Sequence, residues 1–292
     1  MISRPTLGFI GAGRVGKALS RVWHERGYSI AAISSRSYSS AEACAQLVLA
    51  DAVCDPLEVV RRSDLSFLTV PDDEIIGVAA SLVEMSLGGK AIVHTSGAKP
   101  ASVLNMLQEQ GAVIGSLHPV FPFANVETAL LRVPGSVFAL EAEGLLRGWL
   151  EVLVESVSGH ILVIPPGGKA LYHAALNFVG AYTVTMYSIA ASIFETMGIN
   201  TPEAHRALYS LMLAAIQNIQ MDGLPGALTG PISRGDAGTI AEHLAALQSA
   251  EIDSEILDAY EVIARLTLPI SAAQGTDISE LDLLLKGRLK NA

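Results

Sequence analysis

Apolar positions follow two regimes along the chain. Up to Ile164 short apolar runs alternate with helical periodicity, and beyond it only the helical period remains. Leu7–Ile10, Ser29–Ser34, Ala52–Cys54, Leu65–Val70, Ala91–Thr95 and Val113–Leu117 read as buried strands. Helical patterns separate them over 14–26, 41–49, 74–85 and 102–110. Such alternation predicts βαβ units in a parallel sheet, extended by Val137–Leu140 and Ile161–Ile164. Pro165-Pro166-Gly167-Gly168 then punctuates the chain, and helices are expected over 168–197, 202–221, 239–249, 253–268 and 278–286. The expectation is an α/β protein: a doubly wound parallel-sheet domain over 1–166, then an all-helical second domain over 167–292.

Composition narrows the partners. Half of the 292 residues are apolar and the net charge is −10, which argues against nucleic acid or an anionic membrane surface. Ala170–Phe194 contains no Asp, Glu, Lys or Arg and is long enough to span a bilayer. His173, Asn177, Thr183, Thr185, Ser188 and Ser192 interrupt it, and no one-sided basic flank orients it. It reads as the central helix of a domain or dimer core. Cys44 and Cys54 lack metal-ligand spacing and read as buried thiols in a reducing cytosol, so no metal is expected. The chain runs from its first residues into a strand with no signal peptide pattern, which points to a cytoplasmic protein.

Gly11-Ala12-Gly13-Arg14-Val15-Gly16 follows the first strand and opens the first helix. In that position the fingerprint has a mechanism. Gly11 permits the tight turn, Gly13 lets a pyrophosphate approach the backbone, and Gly16 lets helix and strand pack closely. The first half is therefore expected to be a Rossmann dinucleotide-binding domain. The second strand ends in Ser34-Ser35-Arg36-Ser37, with no acid between Ser29 and Ser40. Hydroxyls and a guanidinium suit a 2′-phosphate, which a carboxylate would repel, so NADP(H) is expected rather than NAD(H). Val70-Pro71-Asp72 and Thr95-Ser96-Gly97 sit at later strand ends, where they should line the cofactor path.

Hydride transfer to a carbonyl or imine requires an acid beside the reacting atom. His118 stands at the end of a strand, and Lys169, His173 and Asn177 recur every four residues on one stripe of a helix. Arg234, in a Gly/Pro-rich stretch from Asp222 to Asp236 that reads as a long shaped loop, is a candidate carboxylate clamp. Each has a plain alternative: His118 as a strand cap, Lys169 as a solvated first-turn residue, His173 and Asn177 as hydrogen-bonded core groups, Arg234 as the partner of Asp236. Which of Lys169, His118 or His173 is the acid stays open at this point.

The fingerprint, the strand ending Val70-Pro71-Asp72, the His94-Thr95-Ser96-Gly97 turn and the helical second half resemble the 6-phosphogluconate dehydrogenase-like superfamily. Its members include ketopantoate reductases, pyrroline-5-carboxylate reductases, prephenate dehydrogenases and 3-hydroxyisobutyrate dehydrogenases. Ser116-Leu117-His118-Pro119, Gly168-Lys169 with Tyr172-His173-Ala174-Ala175, and Leu228-Thr229-Gly230-Pro231 with Arg234-Gly235-Asp236 look more narrowly like Rossmann-like oxidoreductases with a C-terminal domain of unknown function. The resemblance implies an NADP-linked oxidoreductase that forms a homodimer through intertwined helical domains and acts on a small molecule. In the superfamily's hydroxyacid dehydrogenases an asparagine follows the helix lysine by four residues. Here Lys169 matches, His173 occupies the asparagine position and the amide falls at Asn177. The expected activity is reduction of a small carbonyl substrate such as a 2-keto acid, with ketopantoate reductase as the nearest analogue. The alternatives are reduction of a cyclic imine and a non-catalytic NADPH sensor or scaffold.

Overall fold

The computed structural model describes residues 4–250 and 252–289, and the chain divides into two compact units, one ending at Gly180 and one beginning at Ala181. The first unit holds an eight-stranded sheet: β1 (Leu7–Ile10), β2 (Ile30–Ser34), β3 (Asp51–Val53), β4 (Leu65–Leu68), β5 (Ala91–His94), β6 (Val113–Pro119), β7 (Val137–Glu141) and β8 (His160–Val163). Their spatial order is β3-β2-β1-β4-β5-β6-β7-β8. Successive side chains of a strand point to opposite faces, and both faces here are apolar. Phe9, Phe67 and Val93 join one core cluster with Leu19 and Trp23, while Ile10, Leu68 and Ile92 join another with Val59 and Leu104. Burial on both faces explains why the strands read as continuous apolar runs. The order reverses direction between β1's two neighbours, β2 and β4, so the loop after β1 lies at the switch point where ligands of such sheets bind.

The sheet is parallel from β3 to β6, but β7 runs antiparallel to β6 and β8 runs parallel to β7. The sheet is parallel-dominated, as expected, with the antiparallel pair at β6 and β7. The link from β6 to β7 contains one short helix, Val126–Arg132, about 10 Å long. The chain re-enters the sheet near the end it left. Pro56–Arg62, Val126–Arg132 and Gly144–Ser156 are helices that the apolar periodicity did not place. The first two had cap signals, since Asp55 and Asn125 accept from the N–H groups of Leu57 and Thr128.

The long apolar segment is two helices, Lys169–Val179 and Ala181–Thr196, interrupted at Gly180. Among the described residues it is the stretch long and apolar enough to cross a membrane. No residue of Ala181–Thr196 is buried within the single chain, so it is not the core helix of its own unit. The core of the second unit comes instead from Ile240, Leu244, Ala264, Leu268, Leu281 and Leu285. The segment from Asp222 to Asp236 is more regular than a loop. The helix Thr201–Gly226 runs into it past a kink at Gly223 and Leu224, and Ile232–Arg234 forms a 3-10 turn.

The glycine loop is held by its neighbours. Gly11 has φ +115°, a conformation costly for other residues, and donates its N–H to the Ser34 carbonyl at 2.8 Å. Thr69 Oγ1 donates to the Gly11 carbonyl at 2.7 Å. A Cβ at Gly16 would lie 2.1 Å from that same carbonyl oxygen, whereas one at Gly13 would meet nothing within 4 Å. Gly16→Ala is therefore expected to lower the unfolding free energy by about 1–3 kcal/mol, and Gly13→Ala to leave it nearly unchanged. Equal losses in urea titrations of the two variants would refute this account of the loop.

Candidate functional site

Two adjoining regions at the carboxyl ends of the strands carry the polar groups. The first is a cleft of about 530 Å³ bounded by Gly11, Ala12, Gly13, Ser34–Ser37, Cys54, Val70 and Pro71. Its floor is the start of the helix Arg14–Glu25, where no side chain caps the free N–H groups. Uncapped N–H groups at a helix start attract anions, so the cleft suits a phosphate-bearing ligand. Ser34 Oγ is buried there without a hydrogen-bond partner, and an unsatisfied buried hydroxyl is costly unless a ligand or water meets it. Ser35 is half-buried, and Arg36 is exposed with one guanidinium nitrogen 3.2 Å from Glu74 Oε1. Arg14 is exposed and donates to the Ala124 carbonyl, while Val15 is half-buried against the sheet core. Cys54 is exposed and free rather than buried, which corrects its reading as a core thiol.

The second region is built on β5, β6, β7 and the helix Lys169–Val179. His94 is fully buried. Its Nδ1 accepts the Ser96 N–H at 3.2 Å and its Nε2 donates to the Pro100 carbonyl at 3.1 Å. Ser96 Oγ accepts the N–H groups of Ala98 and Lys99 and donates to Asp72 at 2.8 Å. These bonds fix the turn carrying Thr95, Ser96 and Gly97. A Cβ at Gly97 would fall 2.7 Å from the His173 ring and 2.9 Å from the His118 ring, so both imidazoles close on this glycine. His118 Nδ1 shares a 2.7 Å hydrogen bond with the Tyr172 hydroxyl. Asn177 Nδ2 donates back to the His173 carbonyl at 3.1 Å, the role of a local helix amide.

Lys169 is buried, and its Nζ donates to Ser116 Oγ at 2.6 Å. Glu141 Oε2 lies 3.9 Å from the ammonium and also accepts the Ala101 N–H at 2.9 Å. Burial brings the Lys169 pKa down to about 8, against the opposing pull of Glu141 and Asp72. Burial, helped by the Lys169 charge, brings His118 down to about 4, and His94 is likewise near 4 chiefly through burial. Burial raises the Tyr172 phenol to about 12. At neutral pH Lys169 is therefore an ammonium near the neutral rings of His94 and His118 and the neutral Tyr172 phenol.

His118, Lys169, His173, Gly97 and Asp72 thus come together, as a stripe of polar helix residues facing strand ends predicts. Arg234 lies on the second unit, exposed, and Asp236 instead caps the helix Ala237–Ser249 through Thr239. Sequence reasoning passed over Ser116, Glu141 and Tyr172 as working groups. Ser116 had a usable signal, since it lies two residues before His118 on one strand and so shares its face. Nothing marked Glu141, because its position depends on the reversed β7.

A Rossmann-like sheet, a phosphate-suited cleft and a polar cluster define the class: an α/β protein with a polar cleft at the switch point. Residues 2–119 match the family model of a Rossmann-like domain. Residues 136–267 match the model described as a domain of unknown function, DUF2520, and the chain carries the two in tandem. The resemblance read from the sequence, Rossmann-like with a C-terminal domain of unknown function, is borne out by this pairing. No curated protein matches the chain. The chain is similar to protein TM1727 from Thermotoga maritima, with 26% identity, TM-score 0.74, and coverage of 92% of this chain and 99% of that one. It shares its fold with BF3122 of Bacteroides fragilis, a candidate NADP oxidoreductase (23% identity, TM-score 0.70, 92% and 100% covered). It also shares it with an imine reductase from Myxococcus stipitatus in complex with NADP+ (18% identity, TM-score 0.69, 98% and 100% covered).

Neutral buried histidines make the fold sensitive to acid. Both folded pKa values lie below the usual 6.5, so between pH 6.5 and about 4 the unfolded chain binds more protons than the folded one. Their contribution is complete above pH 6.5 and is lost as pH falls toward 4, on the order of 1–3 kcal/mol for each ring. Unfolding midpoints should fall through that window, and the fall should flatten in a His94→Asn/His118→Asn double variant. A wild-type stability flat from pH 7 to 4 would contradict the buried neutral rings.

Proposed function

We propose that the chain is an NADP(H)-dependent oxidoreductase that reduces a small carbonyl substrate. The observation that carries the reading is the continuity of the two regions. The cleft over the uncapped helix start shares its strand-end row with the cluster of Lys169, His118, Tyr172 and His173. Fold neighbours solved with NADP+ support the same cofactor here. The Rossmann part would be residues 1–166, with 167–292 serving substrate binding and dimerisation.

Hydride arrival at a carbonyl carbon leaves negative charge on oxygen. The Lys169 ammonium, beside the neutral His118 ring, can give a proton to this charge. Lys169 is the group protonated at neutral pH with a pKa near 8, close to the operating pH as a general acid requires. The neutral His118–Tyr172 pair orients the oxygen, and Asn177 holds His173 in place. A second reading, imine reduction, draws on the imine reductase fold neighbour. Hydride addition to an iminium needs no proton from the site, whereas a carbonyl oxygen takes one up, and Lys169 can supply it; the carbonyl reading is preferred on that ground.

The helices of the second unit expose Val184, Leu211, Ile216, Ile219, Met221 and Leu224, each more than half accessible. Apolar surface on this scale marks an interface, and a homodimer through it is part of the reading. Light scattering should then give twice the chain mass; a monomer at micromolar concentration would remove it. Two free thiols accord with a cytoplasmic setting.

The deciding experiment follows NADPH oxidation against 2-keto acids, neutral ketones and cyclic imines. Turnover should be highest with a 2-keto acid. Highest turnover with a cyclic imine would replace the carbonyl reading, and none with any class, despite tight NADPH binding, would favour a sensor. Because the ammonium is lost as pH rises, kcat should decline above about pH 8, and Lys169→Met should lower kcat about 100-fold or more with little change in NADPH affinity. A kcat unchanged in that variant would take Lys169 out of the mechanism.

A further inference from the structure

The preference for a 2′-phosphate was read from a stretch, Ser29–Ser40, that contains no acid. The fold brings one in. Glu74 immediately precedes the helix Ile75–Leu82 and lies 38 residues from Arg36 in the chain. Its Oε1 sits 3.2 Å from one terminal nitrogen of Arg36. Arg36 borders the cleft together with Ser34, Ser35 and Ser37, so a carboxylate stands at the rim where a 2′-phosphate would bind. The pair is loose: the side chains are 84% and 44% exposed, and the contact uses one guanidinium nitrogen. The rest of the fork stays free to bind a phosphate. Asp72, two residues earlier, is engaged by Ser96 and does not meet Arg36.

We propose that Glu74 is a specificity-determining residue of this cleft, setting its preference between a dinucleotide with a 2′-phosphate and one with a 2′-hydroxyl. A phosphate monoester carries close to two negative charges at neutral pH. It must share Arg36 with Glu74 and lie near that carboxylate. A 2′-hydroxyl pays neither cost and can donate to that carboxylate. Glu74 therefore narrows the margin in favour of the 2′-phosphate that Ser35 and Arg36 create. The inference rests on the reading of the cleft as a dinucleotide site.

The test is a pair of fluorescence titrations, NADPH and NADH, on wild type, Glu74→Gln, Arg36→Ala and the double variant. Exposed ion pairs are weak, so Glu74→Gln should tighten NADPH about two- to fivefold and leave NADH unchanged or slightly weaker. The gain should shrink in high salt and in the Arg36→Ala background, a coupling that a purely structural role would not produce. An unchanged NADPH-to-NADH ratio overturns the proposal. So does weaker NADPH binding, since Glu74 would then be holding Arg36 in place for the phosphate. If wild type binds neither nucleotide, the reading of the cleft fails and this inference falls with it. A thermal melt of each variant shows whether the fold is intact.

Discussion

The polar end of the sheet is organised around the burial of one ammonium. Removing a lysine from water costs several kcal/mol unless the charge finds close partners. Lys169 is given two, the Ser116 hydroxyl and the more distant Glu141 carboxylate. The compensation is incomplete, because the pKa falls from 10.5 to about 8, a net bias of about 3 kcal/mol toward the neutral amine. Had the carboxylate dominated, the pKa would have risen above 10.5. Desolvation wins, and it leaves a lysine whose charge is retained at pH 7 and readily lost above it.

That charge constrains what surrounds it. His118 is held neutral by burial first and by the Lys169 charge second. The neutral ring and the neutral phenol share the 2.7 Å contact between His118 and Tyr172 without adding charge beside the ammonium. The two imidazoles can approach as closely as they do only because Gly97 has no Cβ to separate them. The turn that carries Gly97 is fixed in turn by His94 and by the Asp72–Ser96 bond. These groups form one unit, so the effect of replacing any one of them will not add simply to that of another.

What the chain revealed about itself follows the range of each signal. The strands were legible because both faces of the sheet are apolar, and the glycine loop because its role needs only three positions and their flanks. His118 and Lys169 could be matched, since one ends a strand and the other begins a helix on the ligand side. Glu141 could not, because its place beside Lys169 depends on β7 running backwards. Glu74 could not, because no local pattern places the start of one helix against the end of β2. The exposed surface of Ala181–Thr196 was misleading for a related reason: an apolar helix announces that it will be covered, not by what.

The boundary between the two family matches bears on what the domain of unknown function contributes. Gly97, Ser116 and His118 lie within residues 2–119, whereas Glu141, Lys169, Tyr172 and His173 lie within 136–267. The buried cluster is therefore composite. Without β7 and the helix Lys169–Val179, Ser116 would lose its ammonium partner and His118 its phenol. Without β5 and β6, Lys169 would keep a carboxylate across 3.9 Å and lose its one close hydrogen bond. Neither match contains a satisfied polar cluster by itself, and leaving a buried charge half-paired is the costly alternative. The part of the second match that precedes Ala181 thus completes the polar cluster inside the first unit.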